Sequence, residues 1–450
     1  VGGAITLSNT DVTLSGSAAD VKDALAGSFT SAHNGTVKVT GTYDVTQLKA
    51  INAGTDGTIH LADRSVGLTG SAANVALALA GNFTNNQTHT GVVTISDNGT
   101  TVNATDITAI ETAKPSGNIN ITNGVALSGT GAKLKSAAEA LDTIHATTTA
   151  TVTDTSYTVA QLKAINDKVG GAITLSNTDV TLSGSAGDLK DALAGSFTSA
   201  HTGTVKVTGT YNVSQLKAIN TGTAGTIHLA NRSVALTGSG SDLADALTGT
   251  FTNNQTHTGV VKVTGNDYTV TDLVTINAGN EGGEINLNDR SVALTGSAAN
   301  VKSALAGTFT LNQTHTGVVT ISDNGTTVNA TDITAIETAK GSGNINITNA
   351  VALSGTGAKL KSAAEALDTI HGSTTATVTD TSYTVAQLKA INDKVGGAIT
   401  LDNRGVNLVG SAADLKDALA GSFATDKTHT GEVKVTGTYN VSQLKAINTG

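Results

Sequence analysis

The sequence predicts an α/β repeat solenoid, a right-handed stack of about sixteen coils of roughly 28 residues, each with short parallel strands and one short helix. Two observations predict it. Short stretches alternate apolar with polar residues, which is typical of strands, and a ten-residue phrase that suits a short helix follows them again and again. The phrase reads YTVAQLKAIN at 157–166 and 383–392, and its relatives begin at Tyr43, Tyr211, Tyr268 and Tyr439.

The repeat divides the chain into eight units, and each unit has two related halves. A first half reads GGAITLSNTDVTLSGSAADVKDALAGSF at 2–29, and a second half reads TVKVTGTYDVTQLKAINAG from Thr36. In two units the second half has drifted to VVTISDNGTTVNATDITAIETAK, at 92–114 and 318–340. We expect one continuous solenoid, a window of a longer repetitive chain. Its units cover about 1–57, 58–117, 118–170, 171–225, 226–282, 283–343, 344–396 and 397–450.

The first half predicts two short strands joined by a turn. Ile5 and Leu7 alternate with polar residues, and so do Val12 and Leu14, while SNTD between them has turn chemistry. The two strands either turn a corner between two sheets or fold back as a hairpin. The corner is favoured, because a hairpin would interrupt the stacking of coils.

A helix follows these strands. Ser17 can accept a bond from the Asp20 amide and the Asp20 carboxylate can bond back, which is a capping box. Val21, Ala24 and Leu25 then recur at helical spacing. Gly27 is expected to end the helix in the left-handed conformation.

The second half predicts one strand and one helix. Asp44 can cap the helix together with Gln47, and Leu48 and Ile51 face inward. Parallel strands joined through a helix cross over right-handedly, hence the expected hand of the solenoid.

Aromatic and aliphatic residues together define the expected core. The six Tyr begin the phrases, and the six Phe occupy one slot after the helix. Two half-units without that Phe are expected to have a longer helix, AKLKSAAEALDTIH at 132–145 and 358–371, with Leu134, Ala138, Leu141 and Ile144 facing inward. In the first unit the expected buried residues are Ile5, Leu7, Val12, Leu14, Leu25, Phe29, Val37, Val39, Leu48 and Ile51.

Composition excludes several classes of partner. The net charge is −9 without a run of basic residues, so nucleic acid is not expected as a partner. No apolar run reaches the roughly 18 residues of a membrane span. The chain has no Cys, which excludes disulfides and thiolate metal sites.

The sequence predicts no enzyme and no catalytic, cofactor-binding or metal-binding residues. Acidic residues such as Asp20, Asp23, Asp188 and Asp191 fall in repeated helix slots, where capping explains them. Solenoid enzymes that act on polysaccharides instead concentrate carboxylates in one atypical cleft. This makes a polysaccharide-acting solenoid a less favoured alternative.

Histidines also occupy a repeated slot. Six of them, as in QTHTG, precede the strand of the second half, and we interpret them as surface residues or as residues that bond a turn. They are His33, His89, His201, His257, His315 and His429. Equivalent positions in successive units lie roughly 10 Å apart at ~4.8 Å per coil, so they cannot share a zinc ion.

Two ligands are alternatives for the repeated polar residues. Calcium stays an open alternative in turns such as SNTD, NDRS and SDNGT, although Asx-turns explain the same residues without a cofactor. Ice binding is less favoured, because the outward strand positions are mixed: Lys38 and Thr40, His60 and Ala62, Asn286 and Asn288.

The repeated lines, YTVAQLKAIN and others such as VALTGSAANV at 292–301, resemble the tandem repeats of giant secreted bacterial surface proteins. The likeness is strongest to cyanobacterial ones, including motility-associated surface proteins of marine unicellular species. The resemblance implies an extracellular or cell-surface structural role, as a fibre, filament or surface-layer element. A stalk or binding region of a large adhesin is the alternative.

The expected partner is the chain itself, end to end or along the rod, with cell-surface polysaccharide as a second candidate. Val1 begins VGGAITL and Gly450 ends AINTG, and the two joined have the length of the internal AINDKVGGAITL at 164–175. Because the two ends match the repeat in this way, we expect either a longer chain or end-to-end stacking. Sixteen coils at ~4.8 Å predict a rod of about 75–80 Å.

Overall fold

The computed structural model describes residues 3–84, 88–114, 116–310, 314–424 and 428–449. Val1, Gly2 and Gly450, which bear on the expectation about the ends, lie outside these ranges. The chain forms two compact units, one of residues 1–211 and 218–230 and the other of residues 212–217 and 231–450.

Short helices recur throughout the described ranges, which contain sixteen of them. They are α1 Ala18–Leu25, α2 Val45–Gly54, α3 Ala72–Leu79, α4 Ala104–Ala113, α5 Gly131–Ala140, α6 Val159–Lys168, α7 Ala186–Leu193, α8 Val213–Gly222, α9 Gly240–Leu247, α10 Val270–Gly279, α11 Ala298–Leu305, α12 Ala330–Ala339, α13 Gly357–Ala366, α14 Val385–Lys394, α15 Ala412–Leu419 and α16 Val441–Thr449.

Strands of three or four residues alternate with these helices. They are β1 Leu14–Ser17, β2 Val37–Thr40, β3 Ile59–Leu61, β4 Leu68–Gly70, β5 Val93–Ile95, β6 Thr101–Asn103, β7 Ile119–Ile121, β8 Ala126–Gly129, β9 Thr149–Val152, β10 Ile173–Leu175, β11 Leu182–Ser185, β12 Val205–Thr208, β13 Ile227–Leu229, β14 Leu236–Gly238, β15 Val261–Val263, β16 Ile285–Leu287, β17 Leu294–Gly296, β18 Val319–Ile321, β19 Thr327–Asn329, β20 Ile345–Ile347, β21 Ala352–Gly355, β22 Thr375–Val378, β23 Ile399–Leu401, β24 Leu408–Ser411 and β25 Val433–Thr436.

All strand pairing within the described residues is parallel, as expected for stacked coils. In the first unit the ladders are β1-β2-β3, β4-β5-β7, β6-β8-β9-β10 and β11-β12-β13; in the second they are β14-β15-β16, β17-β18-β20, β19-β21-β22-β23 and β24-β25. The predicted repeat of short parallel strands and helices is therefore confirmed.

The two strands of a first half do not pair with each other. β3 pairs back onto β2 while β4 pairs forward onto β5, so the hairpin alternative is wrong. Paired residues lie 22–26 positions apart, as in Val37↔Ile59 and Val93↔Ile119, whereas successive helices begin 27–32 positions apart. β3 is thus the last strand of one ladder and β4 the first strand of the next.

The helix caps follow the predicted chemistry with one difference. Asp44 and Gln47 form the full capping box, and Thr158 with Gln161 forms the same box in α6. Ser17 accepts from the Asp20 amide at 3.2 Å, but its hydroxyl also donates to the Asp20 carboxylate at 2.7 Å. The carboxylate therefore orients the serine hydroxyl and does not bond the amide of the capping residue.

Burial confirms part of the predicted core. Leu25, Val37, Val39, Leu48 and Ile51 are buried. Ile5 and Val12 are exposed and Leu7, Leu14 and Phe29 are half-buried, contrary to the prediction. For Ile5, Leu7 and Leu14 the reason is that the first described coil has a neighbour on only one side, since the equivalent Ile59, Leu61 and Leu68 are buried. The Phe slot is buried in some interior coils, as at Phe83, and half-buried in others, as at Phe197.

Tyrosines occupy the core as predicted, except in the last coil. Tyr43, Tyr157, Tyr211, Tyr268 and Tyr383 are buried, whereas Tyr439 is exposed.

The glycine after the first-half helix has a different role from the predicted one. Gly27 lacks a positive φ, and Ala26 before it is right-handed at φ −73°. In later coils the equivalent Gly195 lies under the Asn166 side chain, and a Cβ there would stand 2.6 Å from Asn166 Oδ1. Glycine is needed for this close approach, so its assignment as a left-handed helix end is wrong.

The helices without a following Phe are longer, but less than expected. α5 has ten residues against eight in α1, and it ends at Ala140. Leu134, Ala138 and Leu141 are buried, while Ile144 is half-buried beyond the helix. Lys168 bonds the end of this helix, since its Nζ donates to the Leu141 carbonyl at 2.8 Å.

Candidate functional site

The repeated histidine slot contains the most unusual polar chemistry of the described residues. Five of its six histidines are buried, namely His33, His89, His201, His257 and His315, and His429 is half-buried. In every slot Nε2 lies 2.6–2.8 Å from a valine carbonyl 21–23 residues earlier in the chain. These histidines therefore bond the preceding turn, as one part of the prediction states, and the surface part of it is wrong.

The second ring nitrogen meets a hydroxyl in two of these slots. His33 Nδ1 lies 3.0 Å from Thr55 Oγ1, and His201 Nδ1 lies 3.1 Å from Thr223 Oγ1. Each hydroxyl also lies 3.0 Å from the carbonyl of its own histidine. A threonine hydroxyl can both donate and accept, so it suits either form of the ring.

In a third slot the second nitrogen meets an amide oxygen. His257 Nδ1 lies 2.8 Å from Asn280 Oδ1. The Asn280 Nδ2 donates to the Gly283 carbonyl at 3.0 Å, which points its oxygen at the ring. Both nitrogens of His257 thus face hydrogen-bond acceptors.

Two slots contain a buried lysine in place of the threonine or asparagine. The Gly341 amide donates to the His315 carbonyl, as the Asp56 amide does to that of His33, so Lys340 is the counterpart of Thr55. Lys114 has the same place beside His89. Lys114 Nζ donates to the Ser116 carbonyl at 2.6 Å, and Lys340 Nζ donates to the carbonyls of Gly317 and Ser342 at 2.6 and 2.8 Å.

Sequence reasoning missed these two lysines. They are the last residues of the drifted segments 92–114 and 318–340, which the sequence alone indicates only as divergent copies. The signal that could have identified them is that, when the repeats are aligned, a lysine stands at the position of Thr55.

Burial changes the acid–base behaviour of both members of these slots. Burial lowers the pKa of His89 and of His315, as it lowers that of His201 in a threonine slot, whereas in the lysine slots a nearby ammonium lowers the histidine pKa further. Burial likewise lowers the pKa of Lys114 and of Lys340. The His89 and His315 Nδ1 atoms are buried without a hydrogen-bond partner.

In the turns that are candidate calcium sites, side-chain oxygens already accept hydrogen bonds from backbone amides. Asn9 Oδ1 accepts from the Asp11 amide, and Asp63 Oδ1 accepts from the amide and hydroxyl of Ser65. Asp97, from SDNGT, accepts from the Ala72 amide of the preceding coil at 2.8 Å. Within the described ranges, no three or more His, Cys, Asp or Glu residues are grouped so that they could hold a metal ion.

The acidic helix slots form ion pairs with the preceding helix. Lys389 Nζ lies 3.0 Å from Asp414 and 2.9 Å from Asp417, and Lys163 pairs in the same way with Asp188 and Asp191. These hydrogen bonds raise the pKa of the Lys389 ammonium. The carboxylates thus link neighbouring coils.

Outward strand positions form mixed rows. Lys38 pairs with His60 across one ladder, while Thr69, Thr94 and Asn120 form another. A flat face of identical threonine pairs, as ice binding requires, is absent from these two ladders.

The last described coil exposes a face that is covered in other coils. Val441 is 85% exposed and Leu444 is 38% exposed, whereas the equivalent Val45 and Leu48 are 5% and 0% exposed. In the interior, Gly70 of the following coil lies against Val45 so closely that a Cβ on it would be 3.2 Å away.

Comparison with known proteins adds no relative: neither a protein-family model nor a curated protein sequence matches the chain. Among the helices of the described residues, none combines the length and apolar character that crossing a bilayer requires.

Proposed function

We propose that the chain is a structural repeat segment of an extracellular or cell-surface bacterial protein, a right-handed solenoid that forms part of a fibre, filament or surface layer. One observation carries the proposal: the repeated polar residues bond the neighbouring coil. In α6, Gln161 caps its own helix, Lys163 pairs with carboxylates of α7, and Asn166 donates to the Asp191 carbonyl at the end of α7.

Self-association is part of the proposal, and the face of the last coil supports it. Gly184 packs against Val159, and Gly410 packs against Val385, in the same way that Gly70 packs against Val45. Gly16 is the equivalent glycine of the first coil. A second copy could therefore place its Gly16 on the exposed Val441 and continue the internal packing, which is a heterologous contact that need not close into a ring.

Electron microscopy and sedimentation of the 450-residue chain test this function. We expect rods that lengthen with protein concentration. Val441→Asp should block lengthening, because the contact would bury an unpaired carboxylate. The matched control is Val260→Asp, whose side chain is 43% exposed within an interior coil, and it should leave lengthening unchanged.

The contrary outcomes are also informative. A chain that stays monomeric at every concentration contradicts assembly and favours the stalk of an adhesin. Lengthening that Val441→Asp leaves unchanged would show that the contact lies along the rod and does not involve the last coil.

A further inference from the structure

In the histidine slots, the hydrogen-bond partners decide which ring nitrogen carries a hydrogen. The valine carbonyls near Nε2 can only accept, so Nε2 carries a hydrogen in every slot. The slots then differ only in what Nδ1 meets. Protonation of Nδ1 is matched by an acceptor where Asn280 or a threonine hydroxyl stands opposite.

The lysine slots have no such acceptor. His89 Nδ1 has no hydrogen-bond partner, and the Lys114 ammonium, which has only donors, is near enough to lower the pKa of the ring. A proton on His89 would create a second buried cation beside the first, and an unpaired buried charge is strongly destabilising. The neutral ring is the form that this slot accommodates.

We propose that the His89–Lys114 and His315–Lys340 slots are acid-sensitive joints, at which the stack of coils opens locally when the histidine is protonated. The slots with Thr55, Thr223 and Asn280 contain no lysine and offer Nδ1 an acceptor, so we expect less acid-induced opening there than in the two lysine slots. The inference is independent of the proposed function, because it depends only on the interior of each slot.

The other charged groups around His89 do not reverse this expectation. Arg64 adds to the repulsion from Lys114, and Asp63 opposes it. The Asp63 carboxylate, however, already accepts from the Ser65 amide and hydroxyl. Around His315 the corresponding groups are Lys340 and Asp289, and Asp289 bonds Ser291 in the same way.

The direction of the pH effect follows from the lowered pKa of both histidines. In the unfolded chain a histidine gains its proton near its ordinary pKa of 6.5, whereas in the closed slot it does so at lower pH. Stability is therefore full above pH 6.5 and falls as the pH drops toward the pKa of the closed slot. Each unit of difference between the two pKa values raises the local opening equilibrium about tenfold.

Peptide-resolved hydrogen exchange on the intact chain tests the inference at about pH 7.5 and about pH 5, on either side of the ordinary histidine pKa of about 6.5. After correction for intrinsic exchange rates, we expect increased opening of segments 88–114 and 314–340 at the lower pH. The double variant K114T/K340T places the residue of the Thr55 slot opposite each histidine and should reduce the increase, because the ammonium no longer repels the protonated ring.

The matched control is K168T/K394T. These lysines bond the Leu141 and Leu367 carbonyls, so the control removes the same charge away from the histidines and should keep the increase. H89Q/H315Q removes the titrating groups and should abolish the increase, which covers a failure of the first variant to fold. Equal acid-induced opening in the wild type and in H89Q/H315Q would overturn the proposal.

Discussion

Asn166 bonds the end of the helix that follows its own, because its Nδ2 donates to the Asp191 carbonyl at 2.7 Å. Its Oδ1 lies over Gly195, the second residue after that helix. Asn392 makes the same bond to Asp417, and Asn52 bonds Leu77. The final letter of the repeated phrase thus contacts the glycine of the next coil, and the two positions depend on each other.

This dependence predicts a non-additive double-mutant cycle. Gly195→Ala should lower the free energy of unfolding by about 1–3 kcal/mol, because the methyl group overlaps Asn166 Oδ1. Asn166→Ala alone should cost about 0.5–1.5 kcal/mol through the lost hydrogen bond. The double variant should cost less than the sum when measured by local hydrogen exchange. Strict additivity would show that the glycine has a different role.

The same Leu→Ala substitution should have unequal effects on stability in two copies of the repeated phrase, because the two leucines differ in burial. Leu48→Ala should destabilise its coil by about 2–5 kcal/mol, because Leu48 is fully buried. Leu444→Ala, at the same letter of the phrase in the last coil, should cost roughly 0.5 kcal/mol or less. Hydrogen exchange of α2 and α16 measures both. Equal effects would mean that the Leu444 face is covered in solution.

Much of the fold could be predicted from local patterns. The capping box of Asp44 and Gln47 and the inward positions of Leu48 and Ile51 depend on residues within one turn of helix, and all were correct. Strand partners could not be predicted in this way, because alternation defines the buried face of β3 and β4 without saying which strand pairs with which. Only the structure shows that β3 pairs with the strand before it, β2, whereas β4 pairs with the strand after it, β5.

The errors at Gly27 and in the histidine slots have one physical cause. In the coils after the first, the role of this glycine is set by an asparagine in the preceding helix, as for Gly195, and the role of His89 is set by a lysine 25 residues later. Sequence reasoning assigned each residue to its own turn. In a stack of coils, the deciding neighbour is about one coil away.

Alkaline pH should destabilise the protein through its buried tyrosines. Burial, with a smaller contribution from Asp154 or Asp380, raises the pKa of Tyr157 and of Tyr383 to about 12. Burial also raises the pKa of Tyr43 and of Tyr268. In the unfolded chain these phenols ionise near pH 10, so stability is full below pH 10 and is lost as the pH rises toward 12.

Phenolate absorbance during an alkaline titration measures this effect. We expect a delayed fraction of tyrosines that ionises together with unfolding. Tyr157→Phe should reduce that fraction, whereas Tyr439→Phe, at the exposed position, should leave it unchanged. If all tyrosines ionised in a single step near pH 10, the tyrosines that begin the repeated phrase would not be buried in solution.

The last prediction concerns the spacing of the coils at the turn beside the histidine slot. A Cβ at Gly225 would overlap the carbonyl oxygen of Gly203 in the preceding coil, and one at Gly57 would overlap that of Gly35. Backbone atoms cannot move aside as a flexible side chain does, so Gly225→Ala should separate the two coils. The Val205 amide bonds the Thr226 carbonyl and the Ala224 amide bonds the His201 carbonyl, and both bonds lie within the strained region. We expect the free energy of unfolding to fall by several kcal/mol and these two amides to exchange faster.

Gly372→Ala is the matched control, since nothing lies within 4 Å of its added methyl group, and it should be neutral or slightly stabilising. Equal stability of the two variants would show that the coils are more widely spaced in solution than this contact requires.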